Sequence, residues 1–439
     1  MPYSTEIEKY LKQRRIGLGD RIRLTKKDRS YEGVLMPASV GDEGYLVIKL
    51  NNGYNIGIDF RGIETVERLK SGKASHAEPA KAVDAETAKK PQLSLIATGG
   101  TIGSRVDYQS GGVSALMSPA ELVAMAPEIA EFAYISSIQS PFLKLSEDLE
   151  IKDWVKLARL CVEELKKPAV KGVLLTHGTD TLHFTSAALS FLIKDLNKPV
   201  VLVGAQRSSD RGSSDAAMNL ICAARIAISD IAEVGICMHA GSGDEYCIFN
   251  RGTKVRKMHT SRRDAFRPIN ALPITEVFPD GRIEWLSEHR KRDEGKTPTL
   301  HAKVEEGVVL IKFHPGLDPG ILDYYVRKGY KGIIIESTGL GHVHSKWIPF
   351  IERVVKKGML VFFTPQTIYG RLNLNVYSNG RNLLKAGVIP LDDMLSETAL
   401  VKLAVVLGMT SKPERVKELM LTNMAGEISE RHTPEEFLA

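Results

Sequence analysis

The sequence predicts an α/β protein with two mainly parallel sheets, preceded by a small β-barrel. Three observations carry this expectation. Between residues 93 and 240, apolar strand-like runs alternate with amphipathic stretches of helical spacing, the pattern of a parallel sheet covered on both faces. After a mixed-charge stretch, "EHRKRDEGKTP" at 288–298, the same alternation restarts. Ahead of both, short strands separated by Gly, Asp and Asn turns occupy the first 70 residues. A chain of 439 residues has the length for roughly three domains at about 150 residues each.

The first unit, residues 1–70, contains "GDRIRLTKKD", "SYEGVLMPAS", "GYLVIKLNNGYNIGIDF" and "GIETVERL". Asn52-Gly53 lies between two of its strands, and both residues tolerate the positive φ that a type I′ hairpin turn needs. Four or five strands in so short a segment suggest an SH3-like or OB-like barrel. Residues 71–92, "SGKASHAEPAKAVDAETAKKPQ", are rich in Ala, Lys and Glu and read as an exposed linker. The second unit, 93–295, has strands at "LSLIA", "KGVLLT", "PVVLVGA" and "VGICMHA". Its helices are "SPAELVAMAPEIAEF", "IKDWVKLARLCVEELKK", "DTLHFTSAALSFLIKDL" and "SDAAMNLICAARIAI". The third unit, 296–439, repeats the pattern with "GVVLIKFHPG", "KGIIIESTG" and "MLVFFTPQT". Trp154, Trp285 and Trp347 fall within these patterns and are expected in the core.

Hydrophobic residues make up 43% of the chain and charged residues 26%, the composition of a globular protein. No apolar run approaches the roughly 20 residues that span a bilayer, and "MPYSTEIEKYLKQRR" lacks a secretory apolar stretch. Cys161, Cys222, Cys237 and Cys247 form no CxxC pair, so a reduced, cytoplasmic setting without a zinc site is expected. The net charge is +6, and residues 1–92 carry 17 Lys and Arg against 13 Asp and Glu. A second basic run, "RGTKVRKMHTSRR" at 251–263, has six basic residues and no acid. Such a run is usually a solvated face, and the other reading is a surface for an acidic partner or RNA.

Ligands of open α/β sheets bind beyond the carboxyl ends of the strands, so the loops after strands are where chemistry is expected. Two of them share a composition: "ATGGTIGS" after the first strand of the second unit and "THGTDT" after the next predicted one. The glycines of the first loop fit a phosphate cradle, a turn that displays a hydroxyl, or an ordinary strand-to-loop turn. Asp180 and Thr181 in the second also have helix N-cap chemistry. Neither a Walker Lys-Ser/Thr nor a GxGxxG follows, and no GxSxG elbow is present. What the loops share is hydroxyls, with a carboxylate in the second. A hydroxyl nucleophile needs an activating base, and a threonine served by a second Thr, an Asp and a lysine suits these residues. His177, His183, His342 and His344 show no metal-ligand spacing and read as structural or substrate-lining.

"IATGGTIGS" and "LLTHGTDTLHFTSAAL" resemble the two signature stretches of the bacterial-type L-asparaginase/glutaminase family. The similarity extends through "KPVVLVGAQRSSDRGSSDAAMNL" and "RKMHTSRRDAF" and covers roughly residues 93–425. The resemblance implies two asparaginase-like α/β domains. It also implies that Thr101 is the nucleophile, with Thr179, Asp180 and Lys257 as the proton-handling group. Tyr108, in "VDYQSGG", matches the tyrosine of the mobile loop beside the nucleophile. Ser146 and Glu147 match the contacts to the substrate's carboxylate and amine; the family more often has Gln at the position of Glu147.

The preceding barrel and linker, with "GDRIRLTKKDRSYEGVLMP" and "YLVIKLNNGYNIGI", resemble the N-terminal domain of the D-subunit family of archaeal glutamyl-tRNA(Gln) amidotransferases. That resemblance implies a glutaminase supplying ammonia to a partner E subunit, which amidates Glu-tRNA(Gln) with ATP. No cofactor is then expected in this chain, since ATP and Mg belong to the partner and tRNA(Gln) binds mainly there. A homodimer through the α/β domains within a (DE)2 heterotetramer is implied, with no membrane. The competing readings are a free-standing cytoplasmic L-asparaginase and an RNA-binding module with non-catalytic α/β domains.

Overall fold

The computed structural model describes residues 3–27, 29–36, 44–50, 55–69, 90–99, 105–106, 113–114, 126–207 and 214–437. Thr101, Tyr108, the Asn52-Gly53 turn, most of the 71–92 segment and the first half of the helix expected at "SPAELVAMAPEIAEF" lie outside the described residues.

The N-terminal unit is a five-stranded antiparallel sheet ordered Asn55–Asp59, Tyr45–Leu50, Arg29–Leu35, Arg21–Lys26, Thr65–Arg68. A helix, Thr5–Gln13, precedes it and was not anticipated from the sequence. Ser4 caps it, and Ile7 and Leu11 project from one face into a core shared with Ile22, Leu24, Leu35 and Ile48. Tyr3 ties the entrance down: its hydroxyl donates to Met36 O and accepts from Val47 N at 3.1 Å.

The central sheet has eight strands, ordered Ile283–Trp285, Thr275–Val277, Cys247–Arg251, Val234–His239, Val200–Val203, Val170–Thr176, Gln92–Ala97 and Tyr134–Gln139. Pairing is parallel from Val234–His239 to Tyr134–Gln139 and antiparallel beyond Val234–His239. Alternate side chains feed opposite faces. Val173 and Leu175 join Val200, Leu202 and helices Ile151–Leu165 and Leu182–Leu192 on one side. Leu174, Val201 and Val203 join helix Ala216–Ile228 on the other. Each such aliphatic side chain, fully withdrawn from water, contributes about 1.5–3 kcal/mol.

From strand Gln92–Ala97 the chain runs first to the edge strand Tyr134–Gln139, then returns to the opposite neighbour, Val170–Thr176. This reversal is a topological switch point, where open α/β sheets form their binding crevice. Ala97 pairs with Thr176 in register, so the two Thr- and Gly-rich loops leave the sheet at one level, side by side.

A second, four-stranded parallel sheet is ordered Val308–Lys312, Gly332–Ser337, Leu360–Pro365, Ile389–Pro390. Helix Ser396–Met409 joins the lobes, because its Val401 and Val405 enter the same core cluster as helix Leu182–Leu192. Trp154 and Trp347 are buried, whereas Trp285 is 42% exposed. The expectation for Trp285 fails because its strand is the outermost of the sheet; the ring stacks on His289 instead of entering a core.

Candidate active site

The loop after strand Gln92–Ala97 begins with Thr98, whose backbone N–H and hydroxyl both donate to Thr176 O, at 3.1 and 3.0 Å. Its hydroxyl is therefore structural. Gly99 has φ +105°, and a Cβ there would stand 2.7 Å from Lys144 O. The glycine is required by both a left-handed backbone and the close passage of the 144–148 segment.

The loop after strand Val170–Thr176 is held from several directions. A Cβ on Gly178 would lie 2.8 Å from Ser146 Cβ, and one on Gly204 would lie 2.8 Å from Thr179 Cγ2. Thr181 Oγ1 donates to Ser146 O at 2.6 Å. Thr181 stands at the N-cap position of the following helix but makes no side-chain cap, so capping does not explain this loop. Ser146 is buried, and its hydroxyl lies 3.4 Å from Glu147 Oε2. Lys144 bonds Asp153 at 2.8 Å, and Glu150 N donates to the same carboxylate at 2.9 Å, which fixes the 144–150 segment.

Lys257 reaches this loop from strand Val255–Lys257, which pairs antiparallel with Phe266–Pro268. Its Nζ donates to Thr179 Oγ1 at 2.8 Å and to Asp180 Oδ1 at 2.7 Å. Thr179 is buried, the Lys257 side chain is 10% exposed, and that of Asp180 is 65% exposed. The three side chains thus stand together, with the Asp180 carboxylate largely open to solvent. The turn beyond the lysine is set by Asp264: Arg262 first, with Arg267, holds its carboxyl down at about 2, against burial.

Two histidines back the loop. Burial pushes His177 down to about 4; as the neutral ring, its Nδ1–H donates to Gly178 O at 2.6 Å and its Nε2 accepts from Thr185 Oγ1 at 2.9 Å. Burial, reinforced by Arg256 and Lys257, pushes His183 down to about 3. Both are neutral parts of the scaffold at physiological pH. His342 packs edge-on against Tyr377 in the C-terminal lobe, and His344 accepts from Lys346 N. Among the described residues, no group of three or more His, Cys, Asp or Glu side chains is placed to hold a metal ion.

The basic run 251–263 is partly buried, at 252–255, and partly exposed, at 258–262, and its basic side chains are paired with acids. Arg251 pairs with Glu233, Lys254 with Asp393, Arg256 with Glu397, Lys257 with Asp180, Arg262 with Asp264 and Arg263 with Asp244. The acids come from other segments or from just past the run, which is why the run itself looks uncompensated. Sequence reasoning also missed Thr181 and Gly178 as the joints between the Ser146 and Thr179 loops. Their signal was present, a small residue and a hydroxyl flanking the Thr-Asp pair, but their partner is more than 30 residues away.

No helix among the described residues is long and apolar enough to cross a membrane. The profile described as "Asparaginase, N-terminal" matches residues 92–291, "Glutaminase/Asparaginase C-terminal domain" matches 307–420, and "GatD N-terminal domain" matches 16–69. The chain is 51% identical to the D subunit of the glutamyl-tRNA(Gln) amidotransferase of Pyrococcus abyssi, over 96% of this chain and 97% of that one. It is 46% identical to the protein of the same name from Methanothermobacter thermautotrophicus, over 98% of each. Among solved structures, the thermostable L-asparaginase from Thermococcus kodakarensis superimposes with a TM-score of 0.70 at 31% identity, covering 77% of this chain and all of that one. L-asparaginase I from Vibrio cholerae does so with a TM-score of 0.66 at 25% identity, over 77% and 99%. With all three profiles in order and the resemblance running nearly end to end, the chain belongs to the D-subunit family of glutamyl-tRNA(Gln) amidotransferases, built on the asparaginase fold.

Proposed function

We propose that this chain is the glutaminase of a tRNA-dependent amidotransferase. It hydrolyses L-glutamine through a threonyl ester and hands the ammonia to a partner, which converts Glu-tRNA(Gln) to Gln-tRNA(Gln) with ATP and Mg2+. The observation that carries the reading is Lys257 Nζ within hydrogen-bond distance of both Thr179 Oγ1 and Asp180 Oδ1, beside the loop that leads to Thr101.

In this reading Thr101 Oγ attacks the carboxamide carbon and its proton passes to the leaving nitrogen. The C–N bond breaks, ammonia departs, and a glutamyl ester remains on Thr101. Water then adds to the ester carbonyl, its proton relayed through the Thr179 hydroxyl to Thr101 Oγ; the ester C–O bond breaks, and glutamate leaves as the Thr101 hydroxyl is restored. Asp180 orients the ammonium of Lys257, and Lys257 orients the Thr179 hydroxyl, so the three act as one unit. Backbone N–H groups of the glycine turn serve the oxyanion. Ser146 and Glu147 take the substrate's carboxylate and amine, and Tyr108 is the tyrosine expected beside the nucleophile.

The partner in this proposal is the E subunit, in a cytoplasmic (DE)2 heterotetramer whose two copies of this chain pair through the α/β lobes. tRNA(Gln), ATP and Mg2+ are bound mainly by that partner. A free-standing asparaginase would share the same residues, and the N-terminal unit matched at residues 16–69 favours the amidotransferase reading. The ion pairing throughout 251–263 weighs against an RNA-binding module with inert lobes. The test is glutamine-dependent formation of Gln-tRNA by the chain with its co-purified partner. Rapid asparagine hydrolysis by the chain alone, with no partner retained, would establish the asparaginase reading instead.

A further inference from the structure

The strand that presents Lys257 belongs to the catalytic lobe, yet the C-terminal lobe grips it residue by residue. Thr398 Oγ1 donates to Thr253 O at 3.0 Å, and Thr253 Oγ1 donates to Ala425 O at 2.9 Å. Lys254 forms an ion pair with Asp393, and Arg256 pairs with Glu397 at 3.0 Å. Asn270, just past the pairing strand Phe266–Pro268, has φ +52° and donates to Asp393 O at 3.3 Å.

Asp393 is the hub of this grip. Its side chain is fully buried and that of Lys254 nearly so. Oδ2 meets both Lys254 Nζ and His432 Nε2, and Oδ1 accepts from Ser429 N at 3.0 Å. Burial alone raises this carboxyl, but Lys254, His432 and the Ser429 amide together bring it below its ordinary range. A buried ammonium deprived of its carboxylate must move or lose its proton, and Lys254 moves with the backbone that carries Lys257 three residues later. Reacting groups need placement within about half an ångström.

We infer that Asp393 of the C-terminal lobe is a positioning residue for the acyl-transfer chemistry, acting through Lys254 to hold Lys257 Nζ against Thr179. The inference rests on the role given to Lys257 under the proposed function. The lobe interface then sets catalytic geometry as well as stability.

The test is an epistasis experiment on the full chain, measuring glutaminase kcat and KM for Asp393→Asn, Lys257→Met and the double variant. Asp393→Asn is expected to lower kcat by about tenfold or more with KM within about twofold, and to have less than about a twofold effect in the Lys257→Met background, because residues acting as one unit are non-additive. Val354→Ala, at a buried residue whose core cluster is separate from that of Val255, should lower the thermal midpoint without changing kcat. An equal fractional loss from Asp393→Asn in both backgrounds, or no loss of kcat in either, overturns the inference. If Asp393→Asn fails to fold, Thr398→Val removes one contact of the same grip without a buried charge. It is expected to lower kcat about threefold, and only where Lys257 is present; the same loss in the Lys257→Met background overturns the inference. Full activity of Lys257→Met by itself would instead overturn the functional reading, a result distinct from either failure of the grip.

Discussion

Lys257 Nζ lies 2.8 Å from the Thr179 hydroxyl although the two residues are 78 positions apart in the chain. Asp180 completes the contact at 2.7 Å. Each single change, Lys257→Met or Asp180→Ala, is expected to lower glutaminase kcat by about 10²-fold or more, and the double variant little further. Steady-state kinetics on the three variants decide it, and multiplicative losses would show that the groups work separately.

Gly178 and Ser146 are in contact closely enough that any side chain at 178 must displace Ser146. Gly178→Ala should cost about 1–3 kcal/mol of stability, as overpacking does. It should also raise KM for glutamine more than it lowers kcat, since the proposed function gives Ser146 to substrate binding. Denaturant unfolding and a kcat-against-KM comparison test the two halves separately.

Much of this site was legible because one rule, ligands beyond strand carboxyl ends, selected two loops out of the whole chain. The apolar runs 93–97, 171–176 and 200–203 are continuous, so the strands themselves followed from the pattern, whereas their order and the switch point depend on pairing that only the fold shows. The role of Lys257 came from resemblance alone, and no local signal distinguishes it from Lys254. Their partners, Asp180 and Asp393, lie in opposite directions along the chain. The ion pairs of 251–263 were hidden for the same reason: charge summed along a window cannot see acids delivered by folding. Helix Thr5–Gln13 had its signals in Ser4, Glu6, Glu8 and the Ile7–Leu11 spacing, but a stretch so charged reads as polar until the sheet core that receives Ile7 and Leu11 is known.

The two buried histidines make stability depend on pH in a definite direction. His177 titrates at about 4 and His183 at about 3 when folded, both because of burial, against 6.5 for an ordinary ring. The unfolded chain therefore binds more protons between these values, so stability is full above pH 6.5 and is lost as pH falls toward 4. The slope is about 1.4 kcal/mol per pH unit for each ring across that window. Urea unfolding at pH 7, 6 and 5 should show the loss, and a flat profile would mean that neither ring is held neutral.

The proposed nucleophile offers the last and most selective test, because added ammonia would replace what Thr101 is proposed to make. Thr101→Ala should fold normally and lose glutamine hydrolysis, since no other hydroxyl takes its attack geometry. Mixed with the partner, glutamyl-tRNA(Gln) and ATP, the variant should form no Gln-tRNA from glutamine yet form it from ammonium salts at the wild-type rate. Removing residues 1–92 should give the opposite pattern: that segment carries none of Thr101, Thr179, Asp180 or Lys257, so glutamine hydrolysis should persist while partner binding or tRNA-dependent amidation weakens. Gel filtration with the partner and an aminoacyl-tRNA assay read both outcomes. A Thr101→Ala complex that ammonium does not rescue would mean that this chain contributes to the amidation beyond supplying ammonia, since the partner's chemistry would then need the intact acyl-transfer site as well as its product.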